Sequence, residues 1–265
     1  MLFWSKPARL VIWALFFCLF GLVFALPLLT LILASFSGQW TSVLPSYLTV
    51  RHFAQVLLGP SADNLVASLI TALVASIISL ILGTWAALAI RNLRNGSKRV
   101  MDMVFLMPIA VPSVSVGLGL LVTFSQPPIL LNGTLSMVLI AHVVLVTAFA
   151  FSNVSAGLAR LPQDQEQVAA SLGASPAYVL LKVTLPLLTS QLVAAASLAF
   201  ALSMGELAAT IMVYPPGWVT MPVGIFALTD RGAVFGAAAL AVLLVTITFM
   251  VLAALSRVRT RASFR

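Results

Sequence analysis

The stretch Leu161-Pro-Gln-Asp-Gln-Glu-Gln-Val-Ala-Ala-Ser-Leu-Gly-Ala-Ser-Pro176 is a polar interruption between long apolar runs, and Val183-Thr-Leu-Pro186 follows it. Pro162 stands where a helix can begin. Asp164 and Glu166 fall in the first turn of that helix, where the helix dipole favours anions. We therefore expect a short helix outside the bilayer, in a segment that keeps its charges in the cytosol and docks a partner there.

The end of this short helix is marked as clearly as its start. Gly173 follows the last apolar position, and we expect it to stop the helix in a left-handed conformation. Ser175 and Pro176 then begin a second short helix. The predicted structure is a helix-turn-helix. One face of its first helix carries Val168, Ala169 and Leu172.

The composition defines the class of protein. Of the 265 residues, 62% are hydrophobic and 8% are charged, so no soluble fold could bury this much apolar surface. A helix needs about 20 apolar residues to cross the hydrocarbon core of a bilayer. We predict an all-α polytopic membrane protein with six spans. They cover approximately residues 10–33, 65–90, 103–124, 135–158, 187–213 and 233–255.

The positions of Lys and Arg predict the orientation in the membrane. With both termini in the cytosol, 12 of the 14 cationic residues lie on the inner side, and Arg51 and Arg231 lie outside. The net charge of +8 is therefore interpreted as a signal of topology, and no nucleic-acid partner is expected.

Residues that could support catalysis are scarce. A P-loop requires Gly-Lys-Ser/Thr, whereas Lys6, Lys98 and Lys182 are followed by Pro, Arg and Val. Two histidines, His52 and His142, are too few and too far apart for a metal site. We predict no catalytic or metal site, and we expect His142 to be a buried hydrogen-bonding residue.

Glu206 is an acidic residue within the fifth apolar run, close to Ser203. A carboxylate at membrane depth costs a few kcal/mol unless it is protonated, paired or facing water. Two interpretations stay open at this point: Glu206 locks two helices together, or it lies beside a path across the membrane. The preceding Gly205 would allow close approach of a backbone in either case.

The third apolar run contains Met107-Pro-Ile-Ala-Val-Pro-Ser-Val-Ser-Val-Gly-Leu-Gly119. Pro108 and Pro112 can break a helix at membrane depth, and a broken helix is tolerated chiefly where it lines a cavity or contacts protein. Ordinary packing kinks remain an equal alternative. Pro108 and Pro112 join Ser203, Gly205 and Glu206 as candidates for a translocation path.

A known family shares the spacing of the polar segment. Gln167-Val-Ala-Ala-Ser-Leu-Gly173, nine further residues and Val183-Thr-Leu-Pro186 resemble the EAA loop of ABC importer permeases. That motif is Glu-Ala-Ala, three residues, Gly, nine residues and Ile-x-Leu-Pro. Ala169, Gly173, Leu185 and Pro186 match, whereas Gln167 replaces the glutamate, Val168 the first alanine and Val183 the isoleucine. Glu166 is displaced from the motif's glutamate by one position.

The resemblance implies a type I ABC importer permease fold in a single domain, 1–265, within a bacterial inner membrane. Residues 1–62 would form a first helix and an outer loop, and 63–265 the core helices with the coupling segment at 160–186. The implied partners are a cytosolic ABC ATPase dimer, a second permease chain and a periplasmic substrate-binding protein. No cofactor is expected in this chain, since the ATPase would use ATP and Mg²⁺. The implied ATPase-coupling residues are Glu166, Gln167, Ala169, Ala170, Gly173, Ala174, Ser175 and Pro176.

Two finer resemblances concern the substrate. Gly205-Glu206-Leu-Ala-Ala-Thr210 is similar to the Gly-Glu-Phe-Gly-Ala-Thr element of permeases for sulfate, molybdate, iron, thiamine and polyamines. A narrower similarity is to a permease of 2-aminoethylphosphonate importers, which implies phosphonate import. The alternatives are another solute of the same branch, an ion-coupled carrier with Glu206 as its proton site, and a membrane scaffold. The narrower similarity lies in Pro112-Ser-Val-Ser-Val-Gly-Leu-Gly119, Phe151-Ser-Asn-Val-Ser155, Tyr214-Pro-Pro-Gly-Trp218 and Leu228-Thr-Asp-Arg-Gly232.

Overall fold

The computed structural model describes residues 6–59, 61–162 and 164–258. The predicted all-α class is confirmed, since the strands in this part of the chain are two short ones, β1 (Ser37–Gln39) and β2 (Tyr47–Leu48), paired antiparallel. The helices are α1 (Lys6–Phe20), α2 (Leu26–Ser35), α3 (Arg51–Leu58), α4 (Ser61–Arg91), α5 (Asn95–Ala110), α6 (Ser113–Phe124), α7 (Leu135–Arg160), α8 (Asp164–Ser171), α9 (Pro176–Val179), α10 (Leu185–Leu187), α11 (Thr189–Met204), α12 (Thr210–Val213), α13 (Met221–Asp230) and α14 (Val234–Ser256), with π-helical segments at Gly21–Ala25 and Leu180–Thr184.

Hydropathy predicts six spans, and the described residues contain four long apolar helices and two bent helix pairs that can account for them. Each bent pair must count as one span for the number to reach six. The ten-residue helix α13 was not predicted, because it is too short and its flanks are rich in turn residues. The four uninterrupted spans are Ala8–Ser35, Ser61–Arg91, Leu135–Arg160 and Val234–Ser256.

The third predicted span is not one helix. It is the pair α5 and α6, which meet at an angle of 100°. Pro112 explains the break, because its ring disfavours helical backbone at the preceding residue, and Val111 is extended with φ −95° and ψ 131°. Pro108 lies inside α5 without ending it. Of the two prolines, only Pro112 therefore interrupts the helix.

The fifth predicted span, residues 187–213, is also interrupted. Helix α11 ends at Met204, residues 205–209 belong to no helix, and α12 begins at Thr210. Glu206 therefore lies in a break between two helices rather than inside one. At its other end α11 makes an angle of 68° with the segment Pro176–Leu187. Hydropathy did not detect either interruption, because apolar residues continue through both.

Contacts divide the chain into two compact units. The first consists of the described residues of Met1–Ala62 with Gly224–Leu243, and the second of Asp63–Val223 with those of Leu244–Arg265. A single permease domain over residues 1–265 stays a prediction. Within the first unit, His52 Nε2 lies 3.0 Å from the carbonyl oxygen of Ser37 and joins the start of α3 to β1.

Small residues bring α4 and α7 together inside the second unit. A Cβ atom at Gly83 would lie 2.7 Å from the backbone nitrogen of Phe151, so only glycine fits there. Ala87 and Ile90 continue the contact and pack in one cluster with Phe151. This close packing fixes the cytosolic end of α4, where Arg91 lies.

Candidate coupling and translocation sites

The predicted helix-turn-helix is present and is closed by backbone hydrogen bonds. Gly173 has a φ of +86°, as predicted for a left-handed helix stop. The amide of Gly173 donates to the carbonyl of Ala170 at 3.0 Å, and the amide of Ala174 donates to that of Ala169 at 3.1 Å. These two bonds form a Schellman motif, which satisfies carbonyls that the end of α8 leaves unpaired.

The second short helix begins where the sequence predicts. Ser175 caps α9, because its Oγ accepts a hydrogen bond from the amide of Tyr178 at 3.3 Å. Pro176 occupies the first turn, where a backbone N–H would have no partner within the helix, so its missing N–H costs no hydrogen bond. The turn between α8 and α9 is thus specified by local residue chemistry at both of its ends.

Glu166 faces the rest of the chain. Its Oε1 accepts a hydrogen bond from Arg91 Nη1 at 2.8 Å and another from Thr184 Oγ1 at 2.7 Å. Burial raises the pKa of Glu166, but the bonds from Arg91 and Thr184 and the Arg91 charge outweigh it and hold the pKa below its ordinary value. The carboxylate is therefore ionised and paired at neutral pH.

Three apolar side chains of the segment are exposed. The exposed fractions are 58% for Val168, 84% for Leu172 and 58% for Tyr178. Of the three residues predicted for one face of α8, Ala169 is only partly exposed. We call Val168, Leu172 and Tyr178 the outer patch.

The inner side of the segment borders a cavity of about 430 Å³. Arg91 and Asn92 line it from the end of α4. The structure thus brings several of the predicted coupling residues together, whereas Gly173 and Ser175 are exposed in the turn. The predicted residues that line this cavity are Glu166, Gln167, Ala170, Ala174 and Pro176.

A second cavity, of about 250 Å³, lies at the break between α11 and α12. Pro108 and Glu206, two predicted path residues from different spans, both line it. His142 of α7 also reaches it. The cavity wall does not include Pro112, Ser203 or Gly205. Of these, Pro112 lies at the break between α5 and α6.

His142 is buried and hydrogen-bonded, as predicted. Its Nδ1 lies 2.7 Å from Ser203 Oγ, and its Nε2 lies 2.9 Å from Thr210 Oγ1. Thr210 donates its own proton to the carbonyl of Glu206 at 3.1 Å, so Nε2 is the donor toward Thr210. Ser203 then donates to Nδ1. A neutral imidazole satisfies the whole network, which ties α7 to both sides of the break.

The side chain of Glu206 bonds within its own segment. Its Oε1 accepts a hydrogen bond from the amide of Ala209 at 2.8 Å, within the break at residues 205–209. The interpretation in which Glu206 locks two helices finds no support in this bond. The residue is partly exposed and lines the cavity.

The close backbone approach expected at Gly205 occurs at Gly117 instead. A Cβ at Gly205 would be 3.6 Å from the Ala201 carbonyl of its own helix, an ordinary contact. A Cβ at Gly117 would lie 2.7 Å from the carbonyl oxygen of Ala209. Gly117 therefore lets α6 pack directly on the break. Sequence reasoning placed Gly117 in the third span but could not identify its neighbour.

Comparison with known proteins agrees with this fold. Residues 79–262 match the family described as binding-protein-dependent transport system inner membrane component. The chain belongs to this family. It is a permease of an ABC importer in the inner membrane, as the EAA-like spacing predicts, and its relatives are transport permeases.

One relative is the permease protein PhnV of Salmonella paratyphi A, named for a 2-aminoethylphosphonate transport system. It is 51% identical over 261 residues, which cover 98% of each chain. The putrescine transport system permease PotI of Escherichia coli K12 is 29% identical over 83% of this chain and 81% of its own. The predicted resemblance to 2-aminoethylphosphonate permeases is thereby confirmed.

A solved structure shows the same fold at low sequence identity. A chain of a bacterial alginate ABC transporter, crystallised with an alginate-bound periplasmic protein, superposes with a TM-score of 0.77 and 16% identity. The match covers 98% of this chain and 97% of that one. The predicted ABC importer permease fold is confirmed.

Proposed function

We propose that this chain is one permease subunit of an ATP-driven importer that carries 2-aminoethylphosphonate across the inner membrane. The observation that supports this substrate is the 51% identity to PhnV over 98% of both chains. The identity to the putrescine permease PotI is lower, at 29%. A shared substrate class is therefore better supported for the phosphonate than for the polyamine.

ATP hydrolysis is proposed to take place in a separate cytosolic ATPase dimer, which would bind ATP and Mg²⁺. The outer patch of Val168, Leu172 and Tyr178 supports docking of that ATPase, because these exposed apolar side chains lie in the segment outside the bilayer and are open to a partner. Gly173 and Ser175 hold the turn that presents the patch. The proposed coupling residues are Glu166, Gln167, Ala169, Ala170, Gly173, Ala174, Ser175 and Pro176.

The cavity at the helix break is proposed to belong to the translocation path. Irregular backbone at membrane depth is tolerated where it lines a cavity or is covered by protein, and both breaks border this one. Glu206 and Pro108 would line the path directly. Ser203 would support it through His142, and Gly205 and Pro112 would shape the two breaks.

The importer is proposed to work by alternating access. A periplasmic binding protein would deliver the substrate, and a second, different permease chain would complete the path. The alginate transporter was crystallised with its periplasmic protein, which is the general precedent for such a partner. Closure of the ATPase dimer would then move the coupling segment and, through it, the helices around the cavity.

Uptake of labelled 2-aminoethylphosphonate tests this proposal in cells that lack the gene and receive it back on a plasmid. The wild-type gene should restore uptake, whereas Gly173→Asp should reduce it by about tenfold or more. A side chain at φ +86° costs about 1 kcal/mol and changes the docking turn. Gly96→Asp is the matched control, because Gly96 is equally open to solvent and lies in the first turn of α5, where an acid is favourable.

The amount of permease in the membrane and the amount of ATPase that co-purifies are measured in parallel. Loss of ATPase from Gly173→Asp at normal membrane level supports docking at this segment, and Ala169→Arg should behave alike. Full uptake by both variants would refute the coupling role. Unlabelled putrescine or molybdate that competes as well as 2-aminoethylphosphonate would refute the proposed substrate.

A further inference from the structure

One carboxylate connects the coupling segment to two membrane elements. Glu166 of α8 binds Arg91, the last residue of α4, and Thr184, the last residue of the π-helical segment Leu180–Thr184. The Arg91 and Glu166 side chains are 14% and 21% exposed, and Thr184 is buried. We call these three side chains the latch.

The latch lies where two routes into the membrane begin. Arg91 ends a helix of 31 residues that is packed tightly on α7 through Gly83. Thr184 precedes the bend at Leu188, after which α11 leads to Ser203 and the break at Glu206. A displacement of α8 therefore acts on both spans through a single side chain.

The bonds of the latch are suited to carry such a displacement. Two donors converge on one ionised oxygen at 2.8 and 2.7 Å, and bonds to a charged group are shorter and stronger than neutral ones. Partial burial also limits their screening by salt. The pKa of Glu166 lies below its ordinary value, so the carboxylate keeps its charge at neutral pH.

The direction of the side chain separates Glu166 from the docking surface. The side chains of the outer patch are exposed, whereas the carboxylate of Glu166 is occupied by two donors of the same chain. At the position of the motif's glutamate this chain has Gln167, which is neutral and exposed. No ionised carboxylate at the motif position is thus available to a partner.

We infer that Glu166 is a positioning residue that transmits movement of the coupling segment to the membrane helices through Arg91 and Thr184, without touching the ATPase. This inference rests on the proposed function, because it concerns the coupling of that same segment. Its consequence is a separation of two properties. Loss of the latch should leave the ATPase bound but lower the amount of substrate transported per ATP hydrolysed.

The complete transporter, reconstituted in proteoliposomes with its ATPase, second permease and binding protein, provides the test. Glu166→Gln and Arg91→Met should retain the ATPase at the wild-type ratio and lower substrate uptake per ATP hydrolysed by about fivefold. Asp164→Asn is the matched control, since Asp164 is an exposed carboxylate on the same helix. It should stay within about twofold of the wild type.

The double variant Arg91→Met with Glu166→Gln tests whether the two residues act as one unit. Uptake per ATP in the double variant should equal that of either single variant, because the second change removes nothing further. Additive losses would overturn the inference. Loss of bound ATPase from Glu166→Gln, to the level of Gly173→Asp, would also overturn it, because Glu166 would then belong to the docking surface.

Hydrogen exchange of residues 164–184 in the full-length permease without ATPase gives an independent measurement. Glu166→Gln should raise exchange by about threefold or more, and Asp164→Asn should not. Unchanged exchange would overturn the inference. If the wild-type permease binds no ATPase at all, the proposed function fails and the coupling role fails with it. Raised exchange in Glu166→Gln would still show that Glu166 holds the segment to the membrane helices.

Discussion

The coupling segment and the break at residues 205–209 both interrupt apolar helices, but they satisfy their polar groups differently. At the coupling segment an ion pair between Arg91 and Glu166 joins the elements, close to water. At the break a neutral histidine joins them, with Ser203 and Thr210 as its partners. The one carboxylate at the break, Glu206, bonds to a backbone amide of its own segment.

This difference follows from the cost of charge in the two environments. A partly exposed ion pair costs less than the same pair would at membrane depth, so the coupling segment can carry one. At membrane depth an ionised group is expensive, and neutral side chains with complete hydrogen bonding are the stable alternative. The latch can therefore join the segment to the spans by charge, whereas the break is joined by a neutral network.

The largest loss of stability is expected from His142→Leu. The change leaves the buried hydroxyls of Ser203 and Thr210 without their shared partner, and each such loss costs about 1–3 kcal/mol. Unfolding of the purified permease by a denaturing detergent, followed by circular dichroism, measures it. Adding Ser203→Ala and Thr210→Val should recover part of the loss, because no unpaired group then remains. Wild-type stability of His142→Leu would show that the network does not hold the break.

A smaller effect on stability, but a clear one on transport, is expected at Glu206. Glu206→Gln keeps an oxygen that can accept from the Ala209 amide, so stability should change little. Glu206→Leu removes this hydrogen bond and should cost about 1 kcal/mol. We expect Glu206→Gln to lower uptake about fivefold at normal assembly, because it alters the carboxyl group that lines the cavity. Near-normal uptake would leave Glu206 with only its hydrogen bond to the Ala209 amide.

The sequence predicts what local chemistry specifies. Gly173 and Ser175 have local conformational preferences of their own, so the sequence alone predicts the helix stop and the start of the second short helix. Hydropathy likewise located the spans, but it could not place the interruptions at Val111 and at residues 205–209, where apolar residues continue.

Contacts between distant residues were not predictable from one sequence. Arg91 and Glu166 are 75 positions apart, and the sequence indicates for Arg91 only that it is one of the 12 cationic residues on the inner side. The approach of Gly117 to Ala209 was missed for the same reason, since a glycine in an apolar run does not reveal its neighbour. Such pairs depend on how the spans pack, and packing is a property of the whole fold.

The smallest effect is expected from a change of pH at the latch. It distinguishes the coupling segment, which is held by an ion pair, from the break, which is held by a neutral network. The folded-state pKa of Glu166 lies below its ordinary value of 4.5, so its stabilising contribution is complete above that value. The contribution is lost as the pH falls through the folded-state pKa, because the protonated carboxyl no longer pairs with Arg91. A spin label on a cysteine at Leu172, with Cys18 replaced by Ser, reports the mobility of the segment. Mobility should rise in acid for the wild type and stay high and constant for Glu166→Gln, whereas equal acid responses would show that another group controls the segment. Salt should reduce the effect only in part, since both side chains are mostly buried.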